Sequence, residues 1–143
     1  MDLRELTTYE ACILHARAHR VLREFVARQL EGYNLTVTEW VLLGVISESK
    51  SGVSPSALCE RLDVSMPLIT RMATNLQSHG YVDRKEHQED KRQSVIIPSA
   101  KGLELAELVE TQIKVEMRKM LKDFSPSEIL GYVRTMKQLA ELL

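Results

Sequence analysis

The fold is decided by residues 54–97, which read SPSALCERLDVSMPLITRMATNLQSHGYVDRKEHQEDKRQSVII. Ser54 followed by Pro55 is typical of a helix start, because a serine can cap the first turn and a proline fits the first helical position. Ser65 gives a second helix start, with Pro67 in the first turn, where a missing backbone N–H costs nothing. A joint of two residues separates these helices. The stretch therefore predicts a helix-turn-helix, whose second helix commonly enters the major groove of DNA.

The second helix is predicted to have an apolar face and an outer face without carboxylates. Its apolar face consists of Ile69, Met72, Ala73 and Leu76. Its polar side chains are Ser65, Thr70, Arg71, Thr74, Asn75 and Gln77. No Asp or Glu occurs between Ser65 and His79, as expected for a helix that lies against phosphate groups. The arginine can read guanine, the amides can read adenine, and the threonines can contact phosphates or thymine methyls. A solvated polar face is the alternative interpretation.

The spacing of the apolar residues changes after Gly80, which is placed to end the helix in a left-handed conformation. Tyr81-Val82 and residues 95–97 are aromatic or β-branched and flank a polar tip at residues 87–92. This pattern predicts a two-stranded hairpin with an exposed tip.

The tip of this hairpin carries basic residues that suit nucleic acid. Lys91 and Arg92 can reach a phosphate or the narrow minor groove. Asp90 is expected to hold Arg84 or Arg92 in position through an ion pair. An ordinary charged turn is the alternative, but a helix pair followed by a basic hairpin is the order of a winged helix.

Long helices are predicted on both sides of this region. Residues 5–33 repeat apolar side chains at helical spacing and end near a glycine. Thr36 with Glu39 forms a capping-box pattern for the next helix, and residues 100–123 and 125–143 give two more helices at the carboxyl end. These helices carry more apolar surface than a small domain can cover, so we expect a second copy of the chain to cover it.

The predicted fold is therefore mainly α-helical with a small β-hairpin wing. A winged helix-turn-helix lobe at residues 35–99 would bind DNA. Residues 1–34 and 100–143 would form the helical dimerisation region, intertwined with the lobe as one domain.

The sequence resembles the multiple-antibiotic-resistance regulator (MarR) family over nearly its whole length. The residues that carry the resemblance lie at 54–62, 65–76, 79–84, 90–92 and 99–102. The resemblance implies a homodimeric winged-helix transcription factor, mostly repressing and often released by a small ligand or an oxidant. In such a dimer the two recognition helices would face half-sites about one turn of DNA apart, which predicts a pseudo-palindromic operator. It also implies that Arg92 is the minor-groove arginine of the wing, with Asp90 as its orienting partner. The residues predicted to contact DNA are Ser54, Ser65, Pro67, Thr70, Arg71, Thr74, Asn75, Arg84, Asp90, Lys91 and Arg92.

Composition excludes several other classes of protein. The chain has 143 residues, 44% of them hydrophobic, with 19 basic and 20 acidic side chains and a net charge of −1. This balance tells against nonspecific binding of nucleic acid through overall charge. No apolar run is long enough for a membrane span. With no secretory signal and only Cys12 and Cys59, the sequence predicts the reducing cytoplasm. No catalytic motif is present, so neither an enzyme nor a cofactor is expected. A winged helix that binds another protein is the alternative function.

A candidate effector or redox site lies near the first helix, with the residues Cys12, His15, His19 and Trp40. The resemblance places the effector cleft of the family where the dimerisation helices meet the lobe. The family that the sequence resembles also includes a branch that senses organic peroxides through a cysteine near the start of the first helix, close to the position of Cys12. The alternative is a small apolar residue in a dimer interface. His15 and His19 share a helix face with Cys12, but one helix rarely completes a metal site, so no metal is expected.

Overall fold

The computed structural model describes residues 4–86 and 94–142, and within these ranges the chain forms six helices and one antiparallel hairpin. The elements are α1 Thr8–Gln29, α2 Val37–Ser47, α3 Pro55–Leu62, α4 Met66–Ser78, β1 Val82–Glu86, β2 Ser94–Pro98, α5 Ala100–Met120 and α6 Pro126–Ala140. This architecture confirms the predicted fold class. The first helix is shorter than predicted, because its last regular turn ends at Gln29 and a turn with Gly32 at φ +92° follows.

Local capping explains where several helices begin. Glu39 N donates to Thr36 Oγ1 at 3.2 Å while Thr36 N donates to the Glu39 carboxylate at 3.0 Å, which is the predicted capping box of α2. Ser125 and Glu128 form the same arrangement at α6. Hydrogen bonds from Ser125 lower the pKa of Glu128, so this cap is retained at neutral pH and weakens as the pH falls through the lowered value. Ser65 occupies the N-cap position of α4, but its side chain makes no capping hydrogen bond.

The core lies among α2, α3, α4 and the hairpin. Its fully buried large side chains include Leu42, Leu43, Ile46, Leu58, Ile69, Leu76 and Ile96. All four residues predicted for the apolar face of α4 are buried, which confirms the helical spacing read from the sequence. Burial of apolar surface on this scale is the main favourable contribution to folding of the lobe.

The hairpin has a third partner that the sequence did not reveal. β1 and β2 pair antiparallel with Val82 opposite Pro98. Val53, just before α3, exchanges two backbone hydrogen bonds with Ile96, at 2.9 and 2.8 Å. A side chain at the preceding Gly52, whose φ is +95°, would lie 2.7 Å from Ile97 Cγ2. The start of α3 is therefore fixed against the base of the hairpin.

A tight joint connects the end of α4 to the start of α5. Gly80, at φ +77°, ends α4 in the predicted left-handed conformation. Ser99 Oγ donates to the Gly80 carbonyl at 2.6 Å and accepts from Gly102 N at 3.0 Å. Gly102 is buried, and a Cβ there would overlap the Tyr81 carbonyl oxygen. Backbone thus packs directly on backbone at this joint.

Side chains close the outside of the same joint. Lys101 Nζ donates to the His79 carbonyl at 2.9 Å and lies 5.0 Å from the centroid of the Tyr81 ring. The His79 and Tyr81 rings stack with centroids 5.9 Å apart. Residues 79–81 and 99–102 carried part of the family resemblance. Together they join the end of α4 to the start of α5.

The chain divides into two compact units, one that extends to Glu110 and one that begins at Thr111. The first contains α1 to α4, the hairpin and the start of α5. The second contains the remainder of α5 and α6. This division follows contacts within one chain, whereas the predicted regions were defined by contacts between two copies, so the dimerisation region stays a prediction.

Large apolar side chains remain exposed on the terminal helices. On α1 they are Tyr9, Ile13, Leu14 and Val21, and on α6 they are Leu130, Tyr132, Val133, Met136 and Leu139. No residue of α6 is buried. Among the described residues, no helix combines the length and the hydropathy needed to cross a bilayer.

Candidate nucleic-acid interface

The outer face of α4 is exposed and polar. Of the residues predicted to contact DNA, the exposed ones on or beside this helix are Ser65, Pro67, Thr70, Arg71 and Thr74. They lie opposite the buried apolar face, so the solvent-facing side presents hydroxyls and a guanidinium and no carboxylate of its own. This is the surface that phosphates and base edges favour.

A groove of about 670 Å³ runs between α4 and the first turn of α2. Arg71 and Thr74 line it from α4, and Thr36 and Thr38 line it from α2. Leu68, Met72 and Glu39 also line it, so the groove combines apolar and polar side chains and adjoins the outer face of α4.

Arg84 lies on the hairpin but reaches back to α4. Its Nη2 donates to Thr74 Oγ1 at 3.2 Å and lies 3.5 Å from the Thr70 carbonyl oxygen. Gln77 Nε2 makes a second link, to Asp83 Oδ1 at 3.4 Å. These bonds hold β1 beside α4, so the hairpin and the helix present one surface.

The remaining predicted wing residues are Asp90, Lys91 and Arg92, and they lie outside the described residues. Their pairing with Arg84 or with one another therefore stays a prediction. Ser54 is half-buried at the N-cap of α3, where its hydroxyl accepts from Ala57 N at 3.2 Å. The amino end of α3 thus has one of its free N–H groups satisfied by the chain itself.

Asn75 is placed differently from the other polar residues of α4. It is half-buried, and its Nδ2 donates to Glu39 Oε1 at 2.7 Å. One N–H of its amide is thus occupied within the protein and turns the amide toward α2, whereas reading of adenine would require the amide to face a base. Sequence reasoning missed Glu39 as a partner, although a capping-box carboxylate has a second oxygen free to accept.

The candidate effector residues are not brought together. Cys12, His15 and His19 are exposed on α1. Trp40 is half-buried and lines a cavity of about 460 Å³ between α2 and the start of α5, whose lining includes none of the other three. Within residues 4–86 and 94–142, no group of three or more His, Cys, Asp or Glu side chains is arranged to hold a metal ion.

Comparison with known proteins agrees with a winged helix-turn-helix fold. The fold superposes on a MarR-family transcriptional regulator from Rhodococcus sp. RHA1 with a TM-score of 0.85, at 15% identity, over 95% of this chain and 96% of that one. Residues 33–93, which span the helix-turn-helix and the hairpin, match the sequence model of the MarR family. The chain therefore has the fold of MarR-family regulators, and its central part matches the sequence model of that family.

Two further proteins extend the comparison. CouR from Rhodococcus jostii RHA1, solved with p-coumaroyl-CoA bound, has a TM-score of 0.80 at 16% identity, over 89% of this chain and 88% of that one. The HTH-type transcriptional regulator PapX of Escherichia coli is 25% identical over 101 residues, which cover 70% of this chain and 60% of PapX. The match thus spans less than two thirds of that relative. The Rhodococcus sp. RHA1 protein and PapX are transcriptional regulators, which agrees with the prediction that the chain is not an enzyme.

Proposed function

We propose that this chain is a MarR-family regulator of transcription that binds double-stranded DNA in a sequence-specific manner. The observation that carries the proposal is the exposed face of α4, which has Arg71 at its centre and no acidic residue. In this role α4 enters the major groove. Arg71 contacts a guanine edge while Thr70 and Thr74 contact phosphates or thymine methyls.

The hairpin is proposed to act as the wing. Arg84 positions it on α4 through the bond to Thr74, and Lys91 and Arg92 would then reach a phosphate or the minor groove. Asp90 would orient Arg92. The protein as a whole carries a net charge of only −1. Attraction to DNA must therefore come from individual basic side chains on the binding surface, and Lys91 and Arg92 are two of them.

The functional form is proposed to be a homodimer. The apolar side chains exposed on α1 and α6 support this, since patches of this kind commonly mark interfaces and a second copy is the simplest partner. In such a dimer the two α4 helices would face half-sites about one helical turn apart. The operator is therefore expected to be pseudo-palindromic.

We also infer that the protein is a cytoplasmic repressor released by a small molecule. The cavity lined by Trp40 supports this, because it lies between α2 and α5 at the edge of the DNA-binding lobe. CouR, a relative with the same fold, holds an acyl-CoA ligand. A ligand releases the protein only if it binds the DNA-free arrangement more tightly than the DNA-bound one. Release by oxidation of the exposed Cys12 is the second route.

Arg71→Ala tests the major-groove contact. We expect it to weaken binding about tenfold and to relax base preference at one position in each half-site, because a guanine contact contributes both affinity and specificity. Duplexes selected by the protein from a random pool give the preference, and fluorescence anisotropy gives the affinity. Lys50→Ala is the matched control, since it removes one exposed positive charge at the opposite end of α2 from the groove. Failure of the unaltered protein to select any duplex would contradict the proposed function.

Arg92→Ala tests the wing. The variant lacks the side chain that is proposed to contact a phosphate or the minor groove, so its affinity for DNA at low salt should be lower. The slope of log affinity against log salt should also fall by about one unit for each phosphate that the variant no longer neutralises. Base preference in the major groove should remain unchanged. Titrations at several salt concentrations measure the slope, and a slope equal to that of the unaltered protein would exclude a DNA contact by Arg92.

A further inference from the structure

Glu39 is a buried carboxylate that uses both of its oxygens. Only 8% of its surface is exposed. One oxygen, Oε2, accepts from Thr36 N at 3.0 Å and so completes the cap of α2. The other, Oε1, accepts from Asn75 Nδ2 of α4 at 2.7 Å. One side chain thus joins the first turn of α2 to the third turn of the helix proposed to read DNA.

This bond is costly to break. A buried carboxylate oxygen without a donor loses its hydration and gains nothing in return, and a hydrogen bond to an ionised acceptor is shorter and stronger than one between neutral groups. If Asn75 turned outward to read adenine, it would leave Glu39 Oε1 without this donor. The energetic balance therefore favours an inward Asn75 when DNA is bound as well as when it is absent.

The position of Asn75 also matters for its neighbours. It lies one helical turn after Arg71 and next to Thr74 in sequence. Residues four apart on a helix share a face, so the bond from Asn75 to α2 adds to the buried apolar face in opposing rotation of α4 about its own axis. The rotation of α4 sets the direction in which the Arg71 side chain projects from the helix.

We propose that Asn75 and Glu39 are positioning residues, which set how α4 presents Arg71 to DNA, and that Asn75 does not read a base. The proposal rests on the proposed DNA-binding function. It predicts that DNA binding is retained whenever one of the two side chains donates a hydrogen bond that the other accepts. A base-reading asparagine would instead be required for its own amide, whatever residue 39 is.

Exchange of donor and acceptor separates these roles. Asn75→Asp places two carboxylates together without a donor, and we expect DNA affinity to fall about tenfold or more. Adding Glu39→Gln restores the pair, because the new amide oxygen accepts from Thr36 N and the new amide nitrogen donates to the new carboxylate. The double variant has the same net charge as the unaltered protein. We expect its affinity to return to within about threefold of the original.

The measurements are anisotropy titrations with the duplex that the unaltered protein selects from a random pool, a second selection with the double variant, and thermal melting of each variant. Recovered affinity with an unchanged selected sequence supports the proposal. A folded double variant that does not recover, or that selects a different sequence, overturns it, as does a double variant that fails to fold. If the unaltered protein selects no duplex, the proposed function fails first. The melting temperatures of the double variant and the original then show separately whether the pair is interchangeable.

Discussion

Gly102→Ala is expected to destabilise the protein by about 3 kcal/mol, since overpacking of a well-packed site costs on this order. The added Cβ would overlap the Tyr81 carbonyl oxygen and lie 2.9 Å from the carbonyl carbon. Both atoms belong to the backbone, so the clash is relieved only by moving the end of α4 away from the start of α5. We expect the melting temperature to fall by about 10 °C for a chain of this size, measured by circular dichroism.

Gly44→Ala is the control for this substitution. Gly44 lies in the interior of α2, and nothing lies within 4 Å of the Cβ that alanine would add. Alanine is a better helix former than glycine by about 0.5–1 kcal/mol, so this variant should melt at or slightly above the original temperature. A Gly102→Ala variant that melts as Gly44→Ala does would show that the α4–α5 joint is not closely packed in solution.

Leu139→Glu is expected to dissociate the proposed dimer. Leu139 is 58% exposed in the single chain, so a glutamate there should leave the fold of each chain unchanged. At an interface the same change buries one unpaired carboxylate in each copy, and an uncompensated buried charge costs several kcal/mol. The dissociation constant of the dimer should rise at least about 100-fold. Sedimentation velocity measures the change, and binding to the two-half-site duplex should weaken with it.

Gln138→Glu is the matched control for the dimer. It adds the same charge to the neighbouring exposed position of α6, on the side of the helix away from Val133 and Met136. Its dimer should persist. A Leu139→Glu variant that also stays dimeric would place the interface elsewhere than on α6.

The sequence predicted best those features that depend on neighbouring residues. The capping boxes at Thr36 and Ser125 were found because donor and acceptor lie three residues apart. The end of α4 was found because Gly80 can adopt a positive φ where a side chain would be strained. The spacing of buried residues along α4 was equally local. In each case the physical cause lies within one turn of helix.

Features that depend on distant residues were missed. The pairing of Val53 with Ile96 joins residues far apart in sequence, and one isolated residue gives no strand pattern. Asn75 was interpreted as a base reader because the spacing of α4 shows only that it borders the apolar face. Its partner Glu39 lies 36 positions away. Arg84 was assigned to DNA or to Asp90, and its bond to Thr74 became apparent only once β1 was placed beside α4.

The closely packed joint at Gly102 bears on how a signal could travel through the molecule. Helices that meet through side chains can slide a little, because those side chains change rotamer. Where the Gly102 backbone meets the Tyr81 carbonyl group, no side-chain torsion exists to absorb a displacement. A rotation of the first turn of α5 must therefore move the segment that follows α4 by a similar amount. The exposed face of α4 would move with it.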